Sequence, residues 1–265
     1  MILLKLLLVL FLGTLGTCHR ARCRANDPCW PSPKTWSSFN ATISGRLLRT
    51  YPSAAPCHAP NYNAQQCATV QQNWTSSFWR TSQPGAYAAI LWEVGSGQCF
   101  PNTTISTPCD QGLVAEYSVA AESAADITKA VKFANKHNLY LVIKNTGHDH
   151  LGRSSGKGSF AIWTHRMKGR VWHEGFIPKN APQDGKGVKA VTLQAGEQWH
   201  EVYADADTHN AIVVGGMART VGAAGGYLTG GGHSPFANLY GLAVDSTSPP
   251  PHIFARCTTN KSRST

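Results

Sequence analysis

Residues 139–156 read LYLVIKNTGHDHLGRSSG. The opening LYLVIK is apolar and β-branched, which predicts a strand. The loop after it carries glycines, two histidines, an arginine and hydroxyls, far more chemistry than a turn needs. In α/β sheets, ligands gather at the carboxyl ends of strands, and this loop holds that place. Gly147 and Gly152 permit positive φ and let backbone N–H groups approach an anion. Arg153 can neutralise a phosphate, and Ser154 and Ser155 add hydroxyl donors. The loop therefore reads as a diphosphate cradle. His148 adds little to such a cradle and suits a nucleophilic role better, the plainer alternative being a surface or capping histidine. His148 and His150 with His165 or His173 would also admit a metal. That spacing supplies two ligands at most, however, and Arg153 would repel a cation, so no metal is expected.

On either side of the loop, strand and helix alternate. LVAEYSV from Leu113 reads as a strand and AESAADITKAVKFANKHN as a helix burying Ile127, Ala130, Val131 and Ala134. Ser123 with Asp126 makes a capping box, and Asn138 a stop. VKAVTLQAG is a further strand, EQWHEVYADADTHN a helix burying Trp199, Val202, Tyr203 and Ala206, and AIVVGG another strand. Between these units SFAIWTHRMKGRVWH supplies short strand-like pieces, so the sheet should mix parallel and antiparallel neighbours. The fold class is α+β.

Residues 215–245, GGMARTVGAAGGYLTGGGHSPFANLYGLAVD, carry a second constellation. Its glycines lie among apolar residues, which points to close backbone packing or contact with a flat ligand. No GK[ST] makes a Walker loop, and no GxGxxG opens a helix after the first strand.

Residues 18–112 differ in texture, being rich in Pro, Trp, Ser, Asn and Cys, with a helix expected from about Pro33 to Leu48. They read as a disulfide-pinned N-terminal extension. The tryptophans at 30, 36, 74, 79 and 92 fill a small core or, alternatively, line a carbohydrate-binding surface. Residues 1–17 have the plan of a secretory signal peptide, with one lysine, an apolar stretch and small residues. The sequons at Asn40, Asn73, Asn102 and Asn260 suit the same route, as do eight cysteines. Cys57 with Cys67 and Cys99 with Cys109 are the expected pairs, since each would close a short loop, and the others stay open. The protein is accordingly expected to be secreted and extracellular. The net charge of +10 is scattered, without a basic face interleaved with aromatics, so nucleic acid is not an expected partner, and neither is a membrane.

The two glycine-bearing motifs, VIKNTGHDHLGRSS and TVGAAGGYLTGGGHSPFANLYGLAVD, resemble the FAD-linked oxidases of the vanillyl-alcohol oxidase and berberine-bridge-enzyme group. CRANDPCWPSPKTWSSFN at 23–40 is similar to a secreted fungal branch of that group, the isoamyl-alcohol-oxidase-like proteins. The resemblance covers nearly everything from Cys23 to Asp245. It implies a PCMH-type FAD-binding domain of mixed α/β subdomains over 113–245. It also implies that His148 is bonded to the flavin 8α-methyl, with Asn145, Thr146, Gly147, Asp149, Gly152, Arg153 and Ser154 around the diphosphate. Thr220, Val221, Gly222, Gly225 and Gly226 would approach the flavin, and Gly231, Gly232, His233 and Ser234 would continue that wall. Tyr240 to Asp245 would lie toward the adenine.

Ala218 stands where many relatives have a second flavin-linking cysteine, which implies one covalent bond. Tyr227 stands where berberine-bridge relatives often have His. The implied reaction passes a hydride from an alcohol or other small substrate to the flavin, with dioxygen as acceptor. STSPPPHIFARCTTNKSRST, after Asp245, reads as an aberrant or disordered tail over 246–265. The family's substrate domain is then expected to be absent, with the catalytic acid or base beyond this chain. A non-catalytic secreted flavin-binding or carbohydrate-binding protein is the alternative.

Overall fold

A computed structural model describes residues 21–94, 99–178, 185 and 187–248, and the backbone of 253–254 and 258–259. The expected signal peptide, the Asn260 sequon, Cys18 and Cys257 lie outside the described residues.

The element order begins with α1 (Pro33–Thr42), β1 (Leu47–Arg49), α2 (Ala64–Asn73), α3 (Ser77–Thr81), β2 (Tyr117–Ala120) and α4 (Ala124–Lys136). There follow β3 (Leu141–Lys144), β4 (Phe160–Trp163), β5 (Arg170–Phe176), β6 (Val188–Leu193), α5 (Trp199–Thr208) and β7 (Ala211–Ile212). The short α6 (Gly226–Thr229), α7 (Ala237–Tyr240), β8 (Thr247–Ser248), β9 (Ile253–Phe254) and β10 (Thr258–Thr259) complete the described elements.

The first sheet has the order β1-β2-β4-β3, antiparallel between β1 and β2 and parallel on both sides of β4. The mixed sheet expected from the sequence is thus present, and β3 delivers the chain directly into the loop at Asn145. A second sheet, β5-β6-β9-β8, is antiparallel throughout, and β10 pairs with β7. The short strands β8, β9 and β10 are the described elements within 246–265. Backbone N–H and C=O groups of β9 and β10 pair with β6 and β7, which needs no apolar periodicity in the tail.

Helix α4 starts as expected. The Ser123 hydroxyl accepts from Asp126 N–H, and the Asp126 carboxylate accepts in turn from the Ser123 N–H. The chain leaves it through Asn138 at φ +51°. Ala130 and Ala134 face the core and Ile127 packs at its edge, but Val131 is exposed. The sequence expectation placed Val131 on the wrong side, because the face that meets the sheet is narrower than the apolar count suggested. In α5, Trp199, Val202 and Ala206 are buried, and Tyr203 packs partly buried against them.

Residues before 112 are not a separate layer. Trp36 and Phe39 of α1 lie in one core cluster with Phe160 of β4, the Phe39 and Phe133 rings stack 4.1 Å apart, and β1 is an edge of the first sheet. Helix α1 ends at Thr42, short of Leu48, because the chain turns there to begin β1. Cys57–Cys67 and Cys99–Cys109 are bonded as expected, and Cys23–Cys29 is a third disulfide. Trp36 is buried, while Trp30, Trp74 and Trp79 pack half-buried against core clusters, which favours the core reading over a sugar-binding face.

Candidate functional site

The loop after β3 is turned by glycine where expected: Gly147 and Gly152 both have φ +75°. Their backs are packed by the N-terminal part of the chain. A Cβ on Gly147 would come 2.8 Å from Cα of Tyr87, and one on Gly152 would come 2.9 Å from the Trp92 ring. Tyr87 also donates its hydroxyl to the Ser154 carbonyl at 3.3 Å, and Ala89 N–H donates to the Gly147 carbonyl at 3.2 Å. The Asp149 carboxylate closes the loop internally, accepting from Leu151 N–H at 2.8 Å and Arg153 N–H at 3.1 Å. Arg153 itself is exposed and paired with Asp149 at 2.7 Å, so a phosphate would share that guanidinium with a carboxylate.

The second motif meets this loop at two points. His148 Nε2 lies 2.8 Å from the Thr220 hydroxyl. Gly222 lies so close to Asn145 that a Cβ would come 2.4 Å from the Asn145 amide nitrogen. Asn145 is in turn fixed by Ala195 O, which accepts its amide at 2.9 Å, and by the His165 ring at 3.3 Å. Asn145, His148, Thr220 and Gly222, which come from two separate motifs, thus lie together. Thr146 is buried and Val221 half-buried beside them.

Beyond Gly222 the wall opens. Gly225, at φ +87°, and Gly226 have no atom within 4 Å of where a Cβ would stand. Gly231, Gly232 and His233 form a separate turn: the carbonyls of Gly231 and Gly232 accept from Val244 and Ala243 N–H, and the His233 carbonyl accepts the Tyr227 hydroxyl at 2.6 Å. The Ser234 hydroxyl accepts from Phe236 N–H at 3.2 Å. The described hydrogen bonds of residues 231–234 run within their own segment rather than to the 145–155 loop. Tyr227 is fixed between Trp199 and Gly232. Its hydroxyl is therefore committed to the wall. A groove of about 340 Å³ lies nearby, lined by Tyr203, Gly216, Met217 and Phe236 among others, but His148 is not part of it.

Burial, with His150 nearby, lowers the His148 pKa to about 4, so the ring is neutral at ordinary pH and a ring nitrogen keeps a lone pair. Burial also lowers His165 to about 4. Among the described residues, His148 and His150 belong to no cluster of potential metal ligands; the clusters that occur contain disulfide sulfurs.

Sequence reasoning missed the residues behind the loop. Lys144, the last residue of β3, is fully buried and donates to the Gln83 carbonyl at 2.9 Å; burial lowers its pKa to about 7. Arg80 and Glu93 form a buried ion pair, and Glu93 also accepts from Tyr87 N–H at 2.8 Å. A charged residue ending an apolar strand, and the glutamate directly after Trp92, were the available signals.

An FAD diphosphate and ring system fits this donor set: a positive-φ glycine loop with hydroxyls, a neutral imidazole at its centre, and a second motif that meets the loop at Thr220 and Gly222 and runs on into the open Gly225 and Gly226. Residues 115–248 match the family described as an FAD binding domain. An uncharacterised FAD-linked oxidoreductase of Arthroderma benhamiae is 60% identical over 226 residues, covering 85% of this chain and 40% of that protein. Among solved structures, the VAO-type flavoprotein MtVAO615 of Myceliophthora thermophila is 38% identical with a TM-score of 0.77, covering 85% of this chain and 41% of that one. MtVAO713 of the same organism is 34% identical with a TM-score of 0.75, covering 85% and 40%. The chain thus spans about two fifths of the length of these relatives.

Proposed function

The chain belongs to the FAD binding domain family of FAD-linked oxidoreductases, and on that premise we propose that it holds FAD covalently through His148 in a secreted oxidoreductase. The whole protein would take a hydride from an alcohol or other small substrate and pass the electrons to dioxygen. One observation carries the reading: a neutral, half-buried imidazole stands where the glycine-turned loop meets the second motif at Thr220 and Gly222.

The residues divide the work. The 147–154 backbone, with the Ser154 hydroxyl and Arg153, would bind the diphosphate, while Asp149 keeps the loop in shape. Nε2 of His148 is engaged by Thr220, which leaves Nδ1 for the bond to the cofactor. Gly225 and Gly226 leave room for a flat ring to lie against backbone. When bound, the flavin supplies hydride acceptance, and a covalent tether keeps it from being lost outside the cell. The group that handles the substrate proton is not assigned to this chain. Secretion is supported by the leader pattern, the sequons and the disulfides, which suit an oxidising compartment.

The test is direct. Purified chain should be yellow, and the colour should stay with the pellet on acid precipitation. His148→Ala should release it to the supernatant. A folded but colourless wild-type chain, or colour that washes out in acid, overturns the covalent reading.

A further inference from the structure

Thr220 is better fixed than the histidine it touches. Its side chain is buried, and its carbonyl accepts the Gln198 amide at 2.8 Å. That amide also meets the Thr81 hydroxyl at 3.1 Å, and Thr81 is anchored in α3 by the Ser77 carbonyl at 2.9 Å. The next carbonyl, of Val221, accepts Trp199 N–H at 3.1 Å at the start of α5. The Thr220 hydroxyl is thus presented by a rigid frame to a ring that sits on a loop. His148 Nδ1 has no hydrogen-bond partner among the described residues, so Thr220 is the polar contact that sets the ring's orientation.

We propose that Thr220 is a positioning residue for flavin attachment: its hydroxyl holds His148 in place and serves both proton states that Nε2 passes through. This rests on the covalent reading above. Attachment joins His148 Nδ1 to the methyl carbon. That carbon gives up one hydrogen as a proton, the imidazole gives up one proton overall, and dioxygen takes the two electrons with both protons, leaving as hydrogen peroxide. For Nδ1 to offer a lone pair, a neutral imidazole must carry its proton on Nε2, and the hydroxyl oxygen accepts it. Once Nδ1 is substituted, the neutral ring has its lone pair on Nε2, and the same hydroxyl donates to it. Donor and acceptor exchange across the 2.8 Å contact without the ring turning. Valine has the shape of threonine and can play neither part.

The full chain is prepared without flavin under riboflavin limitation, FAD is added, and acid-stable flavin is followed over time, with reversible FAD binding measured separately. Thr220→Val should attach flavin on the order of ten-fold more slowly, the size of one net hydrogen bond. Reversible binding should stay within about two-fold, since the contact acts on the step and not on the bound ground state. Thr220→Ser, which keeps the hydroxyl, should attach at close to the wild-type rate. If the valine variant does not fold, Thr220→Ala against Thr220→Ser makes the same comparison. A cofactor-free readout accompanies these: the His148 ring N–H proton resonance should be protected from exchange in wild type and serine variant and lose protection in the valine variant.

Valine attaching at the wild-type rate, or serine as slow as valine, overturns the role of Thr220 while leaving attachment at His148 standing. Wild-type chain that binds FAD without ever making acid-stable flavin overturns the covalent reading and the role of Thr220 together.

Discussion

Gly147 turns at φ +75° with its back against Tyr87, so an added methyl meets both a strained backbone and an atom 2.8 Å away. Gly147→Ala should cost about 1–3 kcal/mol, seen as a lower urea midpoint, because neither the Tyr87 backbone nor the loop can give way freely. His148 makes a prediction in pH. With its pKa lowered to about 4 by burial and His150, the ring has a free lone pair above that value and becomes an imidazolium below it. The rate of flavin attachment should be level from neutral pH down to about 5 and fall ten-fold per unit well below 4. A rate that falls already near 6.5 would mean that His148 is not buried in the reacting state. His148, Gly147 and Asn145 were legible because they stand together in one motif after a strand. Tyr87, Thr81 and Gln198 were not, since they reach the site only through the tertiary fold, and nothing local distinguishes a tyrosine that packs on glycine from any other core aromatic.

At the scale of elements, strands came out shorter than their apolar runs. Of LVAEYSV only Tyr117, Ser118 and Val119 enter the strand, which runs on to Ala120 in register with Phe160–Trp163 of β4. AIVVGG pairs only at Ala211–Ile212, although Val213 and Val214 remain buried. Burial was readable from hydrophobicity, whereas pairing depends on a neighbour's length. Helix α4 was better defined, since its cap is local. Burial works to raise the Asp126 carboxyl, but the Glu122 N–H, the Ser123 hydroxyl and N–H and Arg46 outweigh it and hold the pKa below its usual range. A depressed carboxylate contributes stability that is complete above its unfolded value, about 3.9, and is lost as pH falls through the folded one. Stability should therefore drop below pH 4 more steeply in the wild type than in Asp126→Asn, as read from urea unfolding across that range. Ser123→Ala should cost about 1 kcal/mol at neutral pH by removing the cap.

At the scale of the molecule, the part before residue 112 is a wall of the site, which its different composition concealed. Glu93 is the centre of that wall. It pairs with Arg80, accepts from Tyr87 N–H and the Ser53 hydroxyl, and interacts electrostatically with the buried Lys144. Burial pushes its carboxyl up, while Arg80, Ser53 and the Tyr87 N–H oppose that shift. Glu93→Gln keeps the shape but leaves Arg80 and Lys144 without that anion, and should cost about 3–5 kcal/mol. The Cys99–Cys109 bridge offers a control of similar size, since closing a loop with separation 10 is worth about 3 kcal/mol, and it has no described contact with the 145–155 loop. The two losses should differ in consequence. Glu93 lies between Tyr87, which packs on Gly147, and the rest of the wall, with Trp92 beside it on Gly152. Removing its charge should loosen the loop that carries His148, so that acid-stable flavin per folded molecule falls. Cys99→Ser with Cys109→Ser should lower the unfolding midpoint by a comparable amount while the molecules still folded keep their full flavin content. Equal flavin loss in both would mean that retention follows overall stability, and that the N-terminal wall has no specific part in shaping the loop.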